Sequence, residues 1–153
     1  MKILIIAAHP DDEVLGMGGT MKKLSKSGND IKVIFLSTGI LARRPSNAQQ
    51  KIKELRKDAS GALKILGVNE IDFLDFPDNE MDLVSNLKLT KVVEKEIMSF
   101  KPHTVYVPTK YDVNVDHQAA YNSTITATRP KKNTFVKEVI SFEIPSSTEW
   151  YFP

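Results

Sequence analysis

One histidine and three acidic residues follow the first apolar run of the chain. His9, Asp11, Asp12 and Glu13 come directly after residues 1–8 (MKILIIAA) and lead into a glycine-rich segment. In open α/β sheets, ligands bind outside the carboxyl ends of the strands. Burying an imidazole and two paired carboxylates there is costly unless they are neutralised, and a metal ion is the usual partner. These residue types therefore predict a metal site.

A second histidine lies in the segment 109–117 (TKYDVNVDH), after a later strand-like run. A catalytic zinc site typically has three protein ligands of nitrogen or oxygen type and keeps one position open for water. His9 and Asp12 from the first cluster, together with His117, would form such a set.

Two carboxylates beside these ligands have predicted roles of their own. Asp11 adjoins the ligands without being needed as one, so it is the candidate general base. A ligating histidine usually donates its second N–H to a carboxylate or a carbonyl, and Asp116 is the candidate partner of His117. The residue types thus predict a metal site that activates a water molecule, with a carboxylate base beside it.

Alternating secondary-structure elements must bring these clusters together. Apolar runs and helical periodicity predict strands at 3–7, 31–36, 71–74, 104–107 and 136–142, and helices at 13–26, 48–66, 87–100 and 116–128. This alternation favours an α/β fold with a mostly parallel sheet covered by helices on both faces. Right-handed crossovers place the loops after the first four strands on one rim, so the polar clusters are expected to be neighbours.

Composition excludes several classes of protein. The 153 residues suffice for one domain with a core, and the formal net charge of +2 is too small to indicate a nucleic-acid partner. Because the chain has no cysteine, neither a disulfide framework nor a thiolate metal site can form. The first apolar run is too short for a membrane span and lacks a signal-peptide layout, which predicts a cytoplasmic, soluble protein.

The motifs also have purely structural interpretations. Adjacent acidic residues at a helix start commonly act as an N-cap and suit the helix dipole. Arg43 and Arg44 would be solvated side chains in a polar loop. The glycines at 16, 18 and 19 do not follow the strand directly, which argues against a dinucleotide-binding fingerprint.

The ordered motifs resemble the LmbE-like, or PIG-L, family of deacetylases. They are AHPDDE at 8–13, Thr38-Gly39, Arg56 with Ala59, Leu66-Gly67, Phe76-Pro77-Asp78, Asp116-His117 and EIPSS at 143–147. The resemblance covers most of the chain and implies a Rossmann-like three-layer α/β/α sandwich. It also implies metal-dependent removal of N-acetyl groups from N-acetylglucosamine-type sugars or their conjugates.

The resemblance assigns roles to individual residues. By motif position, the Zn²⁺ ligands are His9, Asp12 and His117, the general base is Asp11, and Arg56 matches a substrate-binding arginine. A His/Asp/His set also accepts other divalent metals. The implied partner is a small N-acetylated sugar or sugar conjugate, and homo-oligomers are common in the family.

Two features depart from the family pattern. Many relatives carry a histidine three positions before His117, where this chain has Asn114. Asparagine can donate a hydrogen bond to an oxyanion but cannot shuttle a proton at neutral pH. We therefore expect Asn114 to orient substrate while Asp11 acts first as base and then as acid. The chain ends in EWYFP at 149–153, which predicts one PIG-L domain over 1–153 without the family's C-terminal elements.

Further candidate substrate contacts are Arg43, Arg44, Arg56 and Asp78. Two other functions stay open on the same residues. A non-catalytic metal- or sugar-binding protein would keep the ligands without turnover. A receiver-type signalling domain would instead use Asp11, Asp12, Asp75 or Asp78, and Lys110, and would leave both histidines without a role.

Overall fold

Five strands and four helices alternate along the part of the chain that the computed structural model describes, residues 1–68, 70–130 and 135–145. They are β1 (Lys2–Ala7), α1 (Asp12–Lys26), β2 (Asp30–Ser37), α2 (Ala48–Leu66), β3 (Glu70–Phe76), α3 (Asn86–Phe100), β4 (Thr104–Pro108), α4 (Val115–Ala127) and β5 (Glu138–Phe142). Short 3₁₀ helices at Leu41–Arg43 and Met81–Leu83 lie in the loops after β2 and β3. The predicted elements are confirmed, with ends that differ by at most two residues.

The strands form one parallel sheet in the order β3-β2-β1-β4-β5. This order is that of the Rossmann fold over its first five strands. The α/β prediction with a parallel sheet is therefore confirmed. A receiver-type domain needs the order 2-1-3-4-5, so that interpretation of the acidic residues is wrong.

Alternate residues of β1 belong to two separate cores. Ile3 and Ile5 pack with buried residues of α1 and α2, whereas Leu4 and Ile6 pack with those of α3 and α4. Because successive strand side chains point to opposite faces, a strand that is apolar throughout belongs in the middle of three layers. This arrangement confirms the three-layer α/β/α sandwich. None of the described helices is both long enough and apolar enough to span a membrane.

Helix α1 lies unusually close to the end of β5. A Cβ atom on Gly16 would lie 2.5 Å from Cδ2 of Phe142 and 2.7 Å from the carbonyl oxygen of Glu143. A Cβ on Gly19 would meet nothing within 4 Å. Gly16 therefore sets the distance of α1 from the last strand, and with it the position of the residues at the start of the helix.

The order in which the chain adds strands to the sheet changes side at β1, with β2 and β3 on one side of it and β4 and β5 on the other. Its neighbours β2 and β4 are followed along the chain by helices on opposite faces, so a crevice opens between the carboxyl ends of β1 and β4. The first acidic cluster and the 109–117 segment both lie at this crevice. The aromatic segment 149–153 and Ser146-Ser147 of the EIPSS motif lie outside the described residues.

Candidate metal centre

Three buried side chains converge at the crevice. His9 follows β1, Asp12 begins α1, and His117 lies in the first turn of α4. One ligand atom of each lies within 4.8 Å of the others. The carboxylate of Asp12 faces both rings, with Oδ1 3.2 Å from Nε2 of His117 and Oδ2 3.7 Å from Nδ1 of His9. The fold thus brings together all three predicted ligands.

Asp116 supports His9, not His117. Its Oδ2 lies 2.8 Å from Nε2 of His9 and accepts the backbone N–H of Asn79 at 2.7 Å, while Oδ1 accepts that of Met81 at 2.9 Å. The prediction that Asp116 orients His117 is therefore wrong. Adjacent residues of a helix do not face each other, so Asp116 is directed across the crevice to β1.

The carboxylate that contacts the other ring nitrogen of His117, Nδ1, is that of Asp112. Its Oδ2 lies 3.0 Å from Nδ1 of His117, and the residue is fully buried in the loop before α4. The sequence places Asp112 in the same polar segment but gives no sign of which ring it contacts. Each candidate ligand histidine therefore has one ring nitrogen against a carboxylate and the other directed towards Asp12.

This arrangement fits a divalent cation. Metal-ligating histidines almost always donate their second N–H to a carboxylate, a carbonyl or water. The three candidate ligands, His9, Asp12 and His117, are only 8%, 3% and 2% exposed. Two imidazole nitrogens and a carboxylate oxygen form a donor set typical of catalytic zinc and accepted by several other metals.

A second group of buried ligand atoms, His9, Asp78 and Asp116, meets the same spacing. Here one atom, Nε2 of His9, faces both carboxylates, at 3.3 Å from Asp78 and 2.8 Å from Asp116. The Asp116 oxygens already accept two backbone N–H groups. This second group therefore supports His9 and is the weaker candidate for an ion.

The carboxylates give the crevice a strong preference for positive charge. Burial lowers the pKa of His9, but hydrogen bonds to Asp116 and Asp78 outweigh it and raise that pKa to about 10. Burial likewise opposes protonation of His117, yet its contacts with Asp12 and Asp112 raise its pKa. Either protons or a metal cation can satisfy this preference.

Asp11 has a backbone conformation that few residues other than glycine adopt, with φ 148° and ψ −31°. Such strain costs about 1–3 kcal/mol and persists only where the surrounding structure imposes it. Asp11 occupies the N-cap position of α1, but its side chain makes no capping hydrogen bond. Capping therefore does not explain this carboxylate, which instead lines the crevice. Burial and the charge of Asp12 raise its pKa, as suits a general base.

Glu13 is a candidate functional residue to which the sequence assigned no role. It is fully buried, and its Oε2 accepts the backbone N–H of Asp11 at 3.0 Å. Within the described residues its Oε1 has no hydrogen-bond partner, and burial raises its pKa to about 7. Glu13 thus holds the strained backbone that carries Asp11. The AHPDDE motif was the only signal for it.

The ligands face a cleft of about 360 Å³ that Asn114 also lines. Its Oδ1 accepts the backbone N–H of Asp116 at 2.9 Å and caps α4, while Nδ2 donates to Oδ1 of Asn79 at 3.2 Å. A side-chain amide has two N–H donors. Asn114 can therefore contact Asn79 and still donate one hydrogen bond into the cleft.

Of the candidate substrate contacts, Arg43 and Asp78 line the cleft. Asp78 is buried, and its Oδ2 accepts the backbone N–H of Ala42 at 2.8 Å. Burial opposes ionisation of Asp78, but its hydrogen bond from His9 and that from Ala42 lower its pKa. Asp78 therefore positions its neighbours while bordering the cleft.

The two other arginines lie elsewhere. Arg44 is exposed in a left-handed conformation with φ 45° and does not border the cleft. Arg56 lies outside the cleft, with Nη2 2.6 Å from Oδ1 of Asp75 and its guanidinium over the ring of Phe73. The structure does not bring either arginine to the ligands, and their role in binding substrate stays a prediction.

Residues 4–128 match the family described as PIG-L, GlcNAc-PI de-N-acetylase. The chain belongs to the PIG-L family. It is 35% identical over 129 residues to diacetylchitobiose deacetylase of Thermococcus kodakarensis, a match that covers 78% of this chain and 46% of the relative.

Solved structures agree with this family membership. N,N'-diacetylchitobiose deacetylase from Pyrococcus horikoshii matches with a TM-score of 0.67 and 29% identity, over 83% of this chain and 49% of that one. The conserved protein TT1542 from Thermus thermophilus shares the fold, with a TM-score of 0.78 and 23% identity over 92% of this chain and 65% of that one. The PIG-L chain described here spans about half the length of the two deacetylases.

Proposed function

We propose that this protein is a divalent-metal-dependent hydrolase, with Zn²⁺ as the expected ion. It removes the N-acetyl group from an N-acetylglucosamine-type sugar or sugar conjugate. The observation that carries the proposal is the buried cluster of His9, Asp12 and His117, whose ligand atoms lie within 4.8 Å of one another at a cleft that also presents Asp11. The PIG-L match and the two relatives named as deacetylases support the reaction class.

A divalent ion on these ligands supplies Lewis acidity to the amide carbonyl and lowers the pKa of water from ~15.7 to ~7. Asp11 accepts a proton from the water that attacks the acetyl carbon, and its raised pKa favours this step. Asp11 then returns the proton to the amine when the C–N bond breaks. The products are acetate and the free amino sugar.

Two further side chains serve this reaction from the cleft wall. Asn114 donates a hydrogen bond to the carbonyl oxygen as negative charge develops on it. Arg43 is exposed at the cleft and binds hydroxyl or anionic groups of the sugar conjugate. A cytoplasmic location and a homo-oligomeric state stay predictions.

The first experiment is the metal content of the purified protein, paired with acetate release from N-acetylglucosamine and N,N'-diacetylchitobiose after zinc addition. We expect about one ion per chain, as a three-ligand site implies, together with acetate release. Metal without release from any N-acetylated sugar would favour the binding-protein alternative. Absence of metal after zinc addition would contradict the proposal.

A further inference from the structure

A mostly apolar groove of about 420 Å³ lies between α1 and α2, beside the cleft of the candidate metal centre. Its apolar walls are Val14 and Leu15 of α1 with Leu55, Ala59 and Ala62 of α2. Val14 and Leu15 are 38% and 51% exposed. The volume lies in the range of roughly 300–1,000 Å³ that is usual for small-molecule sites, and exposed apolar side chains in a concavity commonly mark one.

The groove is continuous with the metal cleft. Asp11 and Leu15 border both. A single molecule can therefore lie across the two, with its amide at the candidate base Asp11 and another portion beyond Leu15. The groove is thus part of the surface that a substrate of this cleft would meet.

The lining of the groove defines the chemistry of its ligand. The charged residues that border it are all acidic, namely Asp11, Glu13 and Asp58, so an anionic group is disfavoured there. An acetyl group is too small to fill the groove while its carbonyl is at the metal ligands. The apolar portion must therefore belong to the group attached to the sugar.

We propose that this groove binds a neutral alkyl or aryl aglycone of the N-acetylated amino sugar. The inference rests on the proposed deacetylase function and adds the class of substrate, an apolar glycoside. The amino sugar occupies the polar cleft, and the aglycone passes Leu15 and packs between α1 and α2.

The test compares the zinc-loaded protein on methyl and octyl glycosides of N-acetylglucosamine, with acetate release as the measurement. We expect kcat/KM to be at least about tenfold higher for the octyl glycoside, since burial of a few methylene groups is sufficient for that. Equal values for the two glycosides would overturn the proposal.

Matched variants assign the effect to the groove. Ala62→Trp fills it and is expected to lower the octyl-to-methyl ratio of kcat/KM. Leu55→Gln, which keeps the size of the side chain but removes an apolar wall, is expected to act in the same direction. Lys57→Trp places the same indole at an exposed position of α2 away from the groove and should keep the ratio of the parent protein. A ratio unchanged in both groove variants would overturn the proposal.

Calorimetric binding of the same two glycosides separates this proposal from the deacetylase function. If no acetate is released from either glycoside, the proposed function fails, but tighter binding of the octyl glycoside that Ala62→Trp weakens still supports the groove. Equal binding would overturn the groove proposal on its own. Sedimentation tests the other occupant: a dimeric parent protein with a monomeric Ala62→Trp variant would place a second copy of the chain in the groove and overturn the proposal.

Discussion

Each of the two candidate ligand histidines is oriented by a carboxylate. The two histidine–carboxylate pairs differ in how far apart their members lie in the sequence. Asp116 contacts His9 from 107 positions away, whereas Asp112 contacts His117 within one loop and helix start. Both carboxylates are fully buried. Since such partners fix the ring orientation and raise ligand basicity, they belong to the site as much as the ligands do.

Replacement of Asp116 by asparagine tests this role at the level of one residue. We expect Asp116→Asn to weaken zinc binding by about 10–100-fold, because the neutral amide no longer orients His9. Competition with a chromogenic chelator measures the affinity. Asp75→Asn is the control, because Asp75 is exposed and pairs with Arg56 outside the cleft. Equal affinity in the two variants would contradict the assignment of Asp116.

Asp11 and His117 should separate catalysis from metal binding. We expect Asp11→Asn to lower kcat for acetate release by at least about 10²-fold, the usual contribution of a general base, while the metal content stays near that of the parent protein. His117→Ala should lose the metal as well, because it removes a ligand. Full activity in Asp11→Asn would refute the proposed base.

For individual residues, the sequence was sufficient to predict the candidate ligands but not which carboxylate contacts which histidine. His9, Asp12 and His117 could be predicted as ligands because they follow two different strands of the sheet. A metal ion accounts for a histidine and acidic residues at the end of one strand and a second histidine after the other. Asp116 was misassigned because sequence adjacency suggested a contact that helical geometry does not permit. The burial of Glu13 could not be inferred, since an acidic residue in the first turn of a helix is ordinarily solvated and suits the dipole.

Among the helices, α1 offers a matched pair of glycines. We expect Gly16→Ala to lower the free energy of unfolding by about 1–3 kcal/mol, because its Cβ would overlap Phe142 and the Glu143 carbonyl. A Cβ atom on Gly19 has open space around it, so Gly19→Ala should raise the free energy of unfolding by about 0.5–1 kcal/mol through the higher helix propensity of alanine. Denaturant unfolding measures both. Stabilisation by both substitutions would show that α1 does not need its close approach to β5.

The sheet and α3 are joined by a buried cation whose effect should depend on pH. Nζ of Lys32 on β2 lies 2.6 Å from Asp72 on β3 and 2.8 Å from Glu96 on α3. Burial lowers the pKa of Lys32, but these two carboxylates outweigh it and raise the pKa above its ordinary value. Because the folded-state pKa is the higher one, this stabilisation is present below the unfolded-state pKa of about 10.4 and is lost as the pH rises through the folded-state pKa.

A comparison with Lys32→Met isolates that contribution. We expect the variant to be less stable than the parent protein at pH 8, and the difference between them to shrink as the pH rises above about 10.4. Thermal unfolding across this range measures it. A difference that stays constant with pH would show that the charge of Lys32 contributes nothing.

Element types could be predicted because the apolar runs are continuous in the strands and periodic in the helices. The residues that end helices were equally clear. Gly67, for example, ends α2 in a left-handed conformation with φ 90°. The order of strands could not be read from periodicity, since the same alternation suits both the Rossmann and the receiver arrangements. Only the pairing of β1 with both β2 and β4 distinguishes them.

Binding of a divalent ion at the proposed site should stabilise the whole molecule. The candidate ligands come from the loop after β1 and from the first turns of α1 and α4, and so they are assembled only in the folded chain. Zinc at 100 times its dissociation constant should therefore add about 2.7 kcal/mol to the free energy of unfolding. Denaturant unfolding with and without zinc checks this, with His117→Ala as the control. Equal stabilisation of both proteins would place the ion elsewhere.

The strand order also has a consequence for folding kinetics. The pairing of β1 with β2 joins segments that are close in the chain, whereas its pairing with β4 joins segments separated by two strands and three α-helices. Distant pairings of this kind form slowly because the entropy of closing a long loop is lost before their contacts contribute. Capture of an ion at the proposed site should therefore report on the docking of β4 and α4, and we expect it to lag behind the formation of the local β1–α1–β2 unit.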